Sequence, residues 1–174
     1  DKISIPESIP QIKKYILTKD QFKALADVET SSYEEKLAKD IFFFLFIFDG
    51  IRFSDIILLE KDWIVNDEFG KRIEFDHLKI KFRSKGYGEV WITDDIQGIM
   101  DKYSGDSKYI FNFLKDDMTP NQIKAYCSSK LSTINKNLKR LSAKIEEMPS
   151  LSKKPARYSA AKYVKRKQVL IINK

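Results

Sequence analysis

Hydrophobic and polar positions divide this chain into a helical first part, a short alternating region and a second helical part. Up to about residue 62, apolar residues recur at helical spacing. From Trp63 to Ile92 the period changes to two, and after Thr93 the helical spacing returns. The pattern predicts an α+β protein that is mainly helical, with a small antiparallel sheet of about three strands inserted between helices.

The most apolar stretch, Ile41 to Phe48, predicts the central core helix, over about residues 33 to 49. Eight residues are too few to cross a bilayer, so a buried helix is the favoured interpretation. Gly50 should end this helix, because glycine tolerates the positive φ of a helix C-terminal turn. Arg52 then stands close to the start of the next short helix, where its charge and the helix dipole both favour an anion.

Capping patterns predict where other helices begin. Thr18–Gln21, Ser32–Glu35 and Thr119–Gln122 each pair a hydroxyl with a carboxylate or amide three residues later. Residues 94 to 103 are predicted to form a helix after Thr93, and one further helix should begin at residue 152 or 153.

Chain organisation and turns follow from glycine, proline and hydrophobic spacing. Residues 1–17 are predicted to be a linker, and residues 18–174 a single domain. Gly86-Tyr87-Gly88 should form the turn between two strands. After Pro120, one helix is expected in the 120s and a separate helix over about 129–146.

Composition excludes several classes of site. The chain has one cysteine, Cys127, and one histidine, His77. A disulfide framework and a cysteine-based zinc site are therefore excluded, and a single histidine gives little support to histidine-based catalysis. The sequence predicts neither a metal nor another cofactor, and no signal peptide or membrane segment.

Charge is concentrated in the last third of the chain. From Gln122 to the end the net charge is +12, whereas the remainder carries −5. Such a block indicates a polyanion partner, with nucleic acid as the first candidate. The alternative is that these residues form an ordinary lysine-rich surface. Lys136, Arg140 and Lys144 recur every four residues, opposite an apolar stripe, and would follow a phosphate backbone or simply face solvent.

Three segments stand out: Gly50-Ile51-Arg52-Phe53-Ser54-Asp55, Lys85-Gly86-Tyr87-Gly88-Glu89-Val90 and Lys154-Pro155-Ala156-Arg157. Asn135–Lys139 precedes the last of them. In order and spacing they resemble the catalytic domain of tyrosine recombinases, in particular the integrases of mobile elements in Bacteroides-like bacteria. The resemblance covers roughly residues 15 to 170.

The resemblance implies a site-specific recombinase that acts on double-stranded DNA in the bacterial cytoplasm, through a phosphotyrosine intermediate and without metal or ATP. It implies self-association on DNA in the full-length protein. Arg52 and Arg157 match the two arginines that bind the scissile phosphate, Lys85 the lysine that protonates the leaving oxygen, and Asp55 the acid that braces Arg52. Lys154 occupies a phosphate-contacting position. The expected DNA-binding residues are Lys136, Lys139, Arg140, Lys144 and Lys153.

Two departures from the family pattern bear on activity. Lys154 and Tyr158 stand where the family commonly has histidines. The nucleophilic tyrosine of the family lies well beyond the second arginine, and Tyr158 and Tyr163 are too close to Arg157 to replace it. The chain alone is therefore expected to be inactive in strand cleavage.

Other interpretations remain open for the same residues. Arg52 could pair with Asp49 or Asp55, and Lys85 could be an ordinary turn lysine. The chain could also be a non-catalytic DNA-binding or regulatory module of the same fold, or a helical protein whose basic end meets another protein.

Overall fold

The computed structural model describes residues 16–48, 51–76, 87–156 and 158–160. The chain divides into two compact units, one formed by residues 1–50 and 133–174 and the other by residues 51–132. Helices predominate, and one three-stranded antiparallel sheet accompanies them. The predicted mixed class, mainly helical with a small inserted sheet, is confirmed.

The first unit begins with two capped helices, α1 (Lys19–Asp27) and α2 (Tyr33–Ile47). At α1 both halves of the predicted capping box form: the Thr18 hydroxyl accepts the Gln21 N–H, and the Gln21 side chain accepts the Thr18 N–H. Leu17 is buried, and its N–H donates to the Ser159 hydroxyl over 3.0 Å. The end of the predicted linker is therefore part of a packed unit.

The predicted central helix is confirmed as α2, although it ends at Ile47 and not at 49. Ile41, Phe42 and Leu45 are fully buried. The Phe22 ring of α1 lies 4.4 Å from the ring of Phe46, measured between centroids. Aromatic packing along one side of α2 thus joins the first two helices. Gly50, which was predicted to end this helix, lies outside the described residues.

A long helix that belongs in part to each unit follows Thr119. Pro120–Ala143 is one continuous helix, here called α5, so the predicted division into two helices is wrong. The serines near residue 129 do not interrupt it, because serine costs a helix only a few tenths of a kcal/mol. Ile134, Leu138 and Leu141 are buried as predicted. The helical segment at 153–156 and 158–160 also begins where predicted.

The second unit contains the sheet, with strands β1 (Ile64–Asp67), β2 (Gly70–Asp76) and β3 (Tyr87–Trp91) in that order. Both pairings are antiparallel. Tyr87 and Gly88 pair with β2 as part of β3, so the predicted turn at these two residues is wrong: the ladder with β2 continues through them. Leu78, Ile80 and Phe82, predicted to lie in strands, are outside the described residues.

Around the sheet, the second unit has a short helix α3 (Phe53–Ile56), a 3-10 turn (Lys61–Trp63) and α4 (Asp94–Tyr103). Thr93 caps α4 as predicted. The Phe53 ring packs 6.4 Å from that of Phe113, which stacks on Phe111. This apolar packing fixes the start of α3, and therefore the position of Arg52.

Candidate nucleic-acid interface

Arg52 stands at the N-cap of α3 on a firmly held backbone. Its carbonyl oxygen accepts the N–H groups of Asp55 and Ile56, at 2.9 and 3.1 Å. The neighbouring side chains of Ile51 and Phe53 are buried, with 6% and 1% of their surface exposed, whereas Arg52 is exposed. The local fold therefore anchors both neighbours of Arg52 and leaves its guanidinium accessible to an anion.

Asp55 lies one turn from Arg52, but the two side chains form no ion pair within 4.0 Å in the described structure. The buried Asp55 carboxylate accepts the Ser54 hydroxyl at 3.4 Å. Arg52 is therefore not paired with Asp55 in the described structure, and the role of Asp55 as the acid that braces Arg52 stays a prediction. The only hydrogen bond between the two residues in the described structure is the one that the backbone N–H of Asp55 donates to the Arg52 carbonyl, at 2.9 Å. Asp49 lies outside the described residues.

Of the other predicted catalytic residues, Lys85 and Arg157 lie outside the described residues. Lys154 is described, and it is exposed at the start of the last helical segment. Its N–H donates to the Ser152 hydroxyl, and the N–H of Lys153 donates to the Asn135 side chain over 3.0 Å. Arg52 and Asp55 belong to the unit of residues 51–132, and Lys154 belongs to the other unit.

Three of the predicted DNA-binding cations form one exposed surface on α5. Lys136, Lys139 and Arg140 are exposed, and their helical positions oppose the buried Ile134 and Leu138. The guanidinium of Arg140 donates to Asn137 within the same helix, at 3.4 Å. We call Lys136, Lys139 and Arg140 the α5 cationic surface.

Lys144, which was also predicted to bind DNA, is exposed but differs from these three residues in its hydrogen bonds. Its ammonium donates to the Glu35 carboxylate at 2.7 Å, the Ser31 hydroxyl at 3.1 Å and the Glu29 carbonyl at 3.3 Å. A lysine ammonium has three donors, and all three are occupied here. Lys144 thus ties the loop before α2 to the chain after α5.

Glu35 is the ion-pair partner of Lys144, and the sequence did not indicate this pairing. It is 6% exposed, and its carboxylate also accepts the Ser31 N–H at 2.9 Å. The hydrogen bond from Lys144, followed by that from the Ser31 backbone, lowers the pKa of Glu35 below its ordinary value of 4.5. The capping pattern identified Glu35 only as a residue of the first turn of α2; no local signal links it to Lys144, 109 positions away.

The Lys144–Glu35 pair gives the stability of the protein a defined pH dependence. Because the pKa of Glu35 is lowered in the folded state, the stabilisation is complete above about pH 4.5 and is lost as the pH falls through the folded value. Urea unfolding should therefore show that wild type loses more stability than Glu35→Gln on acidification below about pH 4.5. Identical pH dependence in the two proteins would contradict this role.

The described residues offer no evident site for a metal ion. They hold no group of three or more histidine, cysteine, aspartate or glutamate side chains that could bind one. None of the helices in the described part of the chain combines the length and the apolar character that crossing a membrane requires.

Comparison of the chain with models of known protein families, with curated proteins and with solved structures found no match.

Proposed function

We propose that this chain is the catalytic domain of a tyrosine-type DNA recombinase, which breaks and rejoins double-stranded DNA through a phosphotyrosine intermediate. The observation that carries the proposal is the exposed Arg52, held between two buried side chains at the start of α3, within the first of three sequence segments in the family's order. An arginine fixed in this way offers a preorganised set of donors to a phosphate.

The proposed chemistry uses Arg52, Arg157 and Lys154 to bind the phosphate and Lys85 to donate a proton. Transesterification at a phosphodiester passes through a pentacoordinate state with extra charge on the non-bridging oxygens. Arg52 and Arg157 would each donate two parallel hydrogen bonds to those oxygens, and Lys154 would donate one more. Lys85 would protonate the leaving 5′ oxygen, a task that suits a lysine whose pKa is lowered by nearby cations.

The α5 cationic surface would bind the DNA backbone, together with Lys153. Phosphate contacts of this kind position a protein on the duplex and supply affinity without reading the sequence. Lys144 is left out because its donors are occupied by Glu35, Ser31 and Glu29.

Neutralising the α5 cationic surface should weaken binding to duplex DNA. For Lys136→Gln/Lys139→Gln/Arg140→Gln we expect a lower affinity and a slope of log affinity against log salt that is shallower by about 0.9 for each phosphate that the variant no longer neutralises. Fluorescence anisotropy across a salt series measures both quantities. The matched control is Lys19→Gln/Lys23→Gln/Lys36→Gln, which removes the same charge from exposed positions on α1 and α2. Equal weakening in the two variants would contradict a localised DNA-binding surface.

Covalent attachment to DNA tests the recombinase chemistry itself. A protein that continues through the family's nucleophilic tyrosine should form a stable adduct with a nicked duplex that traps the cleaved strand, visible as a shifted band after denaturing electrophoresis. Binding without any adduct would instead favour a non-catalytic DNA-binding module. The observation that favours a non-catalytic module is Lys154, which stands where the family commonly has a histidine.

A further inference from the structure

One face of the three-stranded sheet carries a set of side chains that the proposed DNA chemistry does not use. Val65, Arg72 and Trp91 lie opposite one another across the three strands. Adjacent residues along a strand point to opposite faces, and Ile73 and Phe75 are buried on the other side. The face with Arg72 and Trp91 is therefore the outer one. We call Arg72, Glu74, Glu89 and Trp91, with Asp67 and Phe69 at the rim, the outer sheet surface.

Two aromatic side chains of this surface are unusually exposed. Phe69 has 75% and Trp91 has 47% of its surface accessible. The indole ring lies against Gly70, where an added Cβ would stand 3.2 Å from ring atom Cζ3. The Arg72 guanidinium lies 5.5 Å from the ring centroid on the same indole. A tryptophan held in this way loses little freedom on binding, and tryptophan is a frequent energetic centre of protein interfaces.

Among the described residues, the charged side chains around Trp91 carry a net negative charge. Arg72 forms ion pairs with Asp67 and Glu74, both at 2.7 Å, and lies 3.8 Å from Glu89. Three carboxylates therefore surround one guanidinium, whose side chain is only 14% exposed. The surface that a partner meets is aromatic and acidic. Such a surface repels DNA and favours a cationic protein surface.

The same chain carries a cationic surface of suitable chemistry on α5. We propose that the outer sheet surface of one copy binds the α5 cationic surface of a second copy. Trp91 would pack against the aliphatic stems of Lys136 and Arg140, while Glu74 and Glu89 meet the charged ends. This contact joins two different surfaces, so it is head-to-tail. It does not depend on recombinase chemistry, and it places DNA and a second copy in competition for one surface.

Sedimentation velocity over a concentration series measures the self-association of the wild-type chain and so tests the proposal. Association should grow with concentration at about 50 mM salt and weaken strongly at about 500 mM, because the Debye length shortens several-fold. Trp91→Ala should weaken association about thirtyfold, the effect of losing a central interface tryptophan. Phe69→Ala, a change at a largely exposed position, should also weaken it and leave thermal unfolding unchanged. Both variants should bind DNA as wild type does.

Two charge-reversal variants, tested alone and then mixed, show whether the two surfaces bind each other. Glu89→Lys alone and Lys139→Glu alone should each associate poorly, and an equimolar mixture of the two should recover a heterologous dimer. Overturning results are a monomer at every concentration and salt, association unaffected by Trp91→Ala, or no recovery in the mixture. Reduced DNA affinity in Trp91→Ala would assign the surface to DNA and would also overturn the proposal. Failure of the recombinase proposal has a different signature, the absence of a covalent adduct.

Discussion

Arg52→Ala is expected to lower the rate of covalent DNA attachment by roughly 100- to 1,000-fold, in a protein that continues through the family's nucleophilic tyrosine. The reason is that donors aimed at a developing charge contribute far more in the transition state than in the ground state. Single-turnover adduct formation on a nicked duplex measures the rate. Because the loss is confined to the transition state, the affinity for intact duplex should change much less than the rate.

Arg52→Lys is the matched variant for this prediction. It keeps the positive charge but replaces the planar fork with a single ammonium, so we expect a rate between those of wild type and Arg52→Ala. The free energy of unfolding should be nearly unchanged in both variants, since the Arg52 side chain is exposed and forms no ion pair with Asp55 in the described structure. An adduct rate in Arg52→Ala equal to that of wild type would remove the residue from the proposed chemistry.

The local features of the fold were predictable because they depend on residues close in sequence. Thr18 and Gln21 form the capping box over a separation of three residues. The uninterrupted apolar run of α2 could only be buried, and the change to a period of two located the sheet. The accessible position of Arg52 followed from the same local signals, because a short helix was predicted to begin beside it.

Long-range contacts could not be predicted in this way. Lys144 and Arg140 are indistinguishable by spacing, yet of these two only Lys144 forms an ion pair with the buried Glu35 carboxylate in the described structure. The pairing depends on how α2 and the end of α5 pack, and one sequence contains no signal for it. The same limit applies to the outer sheet surface: alternation placed Trp91 in the strand region, but its contacts with Gly70 and Arg72 arise from the register of three strands.

Phe42→Ala should destabilise the protein by about 3–5 kcal/mol, the usual cost of removing a fully buried phenylalanine. Phe42 has 0% of its surface exposed, and its ring lies 6.2 Å from that of Phe22 and 5.9 Å from that of Phe43. Domains of this size are commonly stable by about 5–15 kcal/mol, so the loss is a large fraction of the total. Urea unfolding followed by circular dichroism measures it.

Phe43→Ala is the control, because it removes the same atoms from the next position of α2. Phe43 is only half-buried, although its ring also lies 6.3 Å from that of Phe22. Its substitution should therefore cost clearly less than that of Phe42, since the vacated space opens toward solvent and leaves no closed cavity. Equal losses in the two variants would mean that α2 does not present Phe42 to the core.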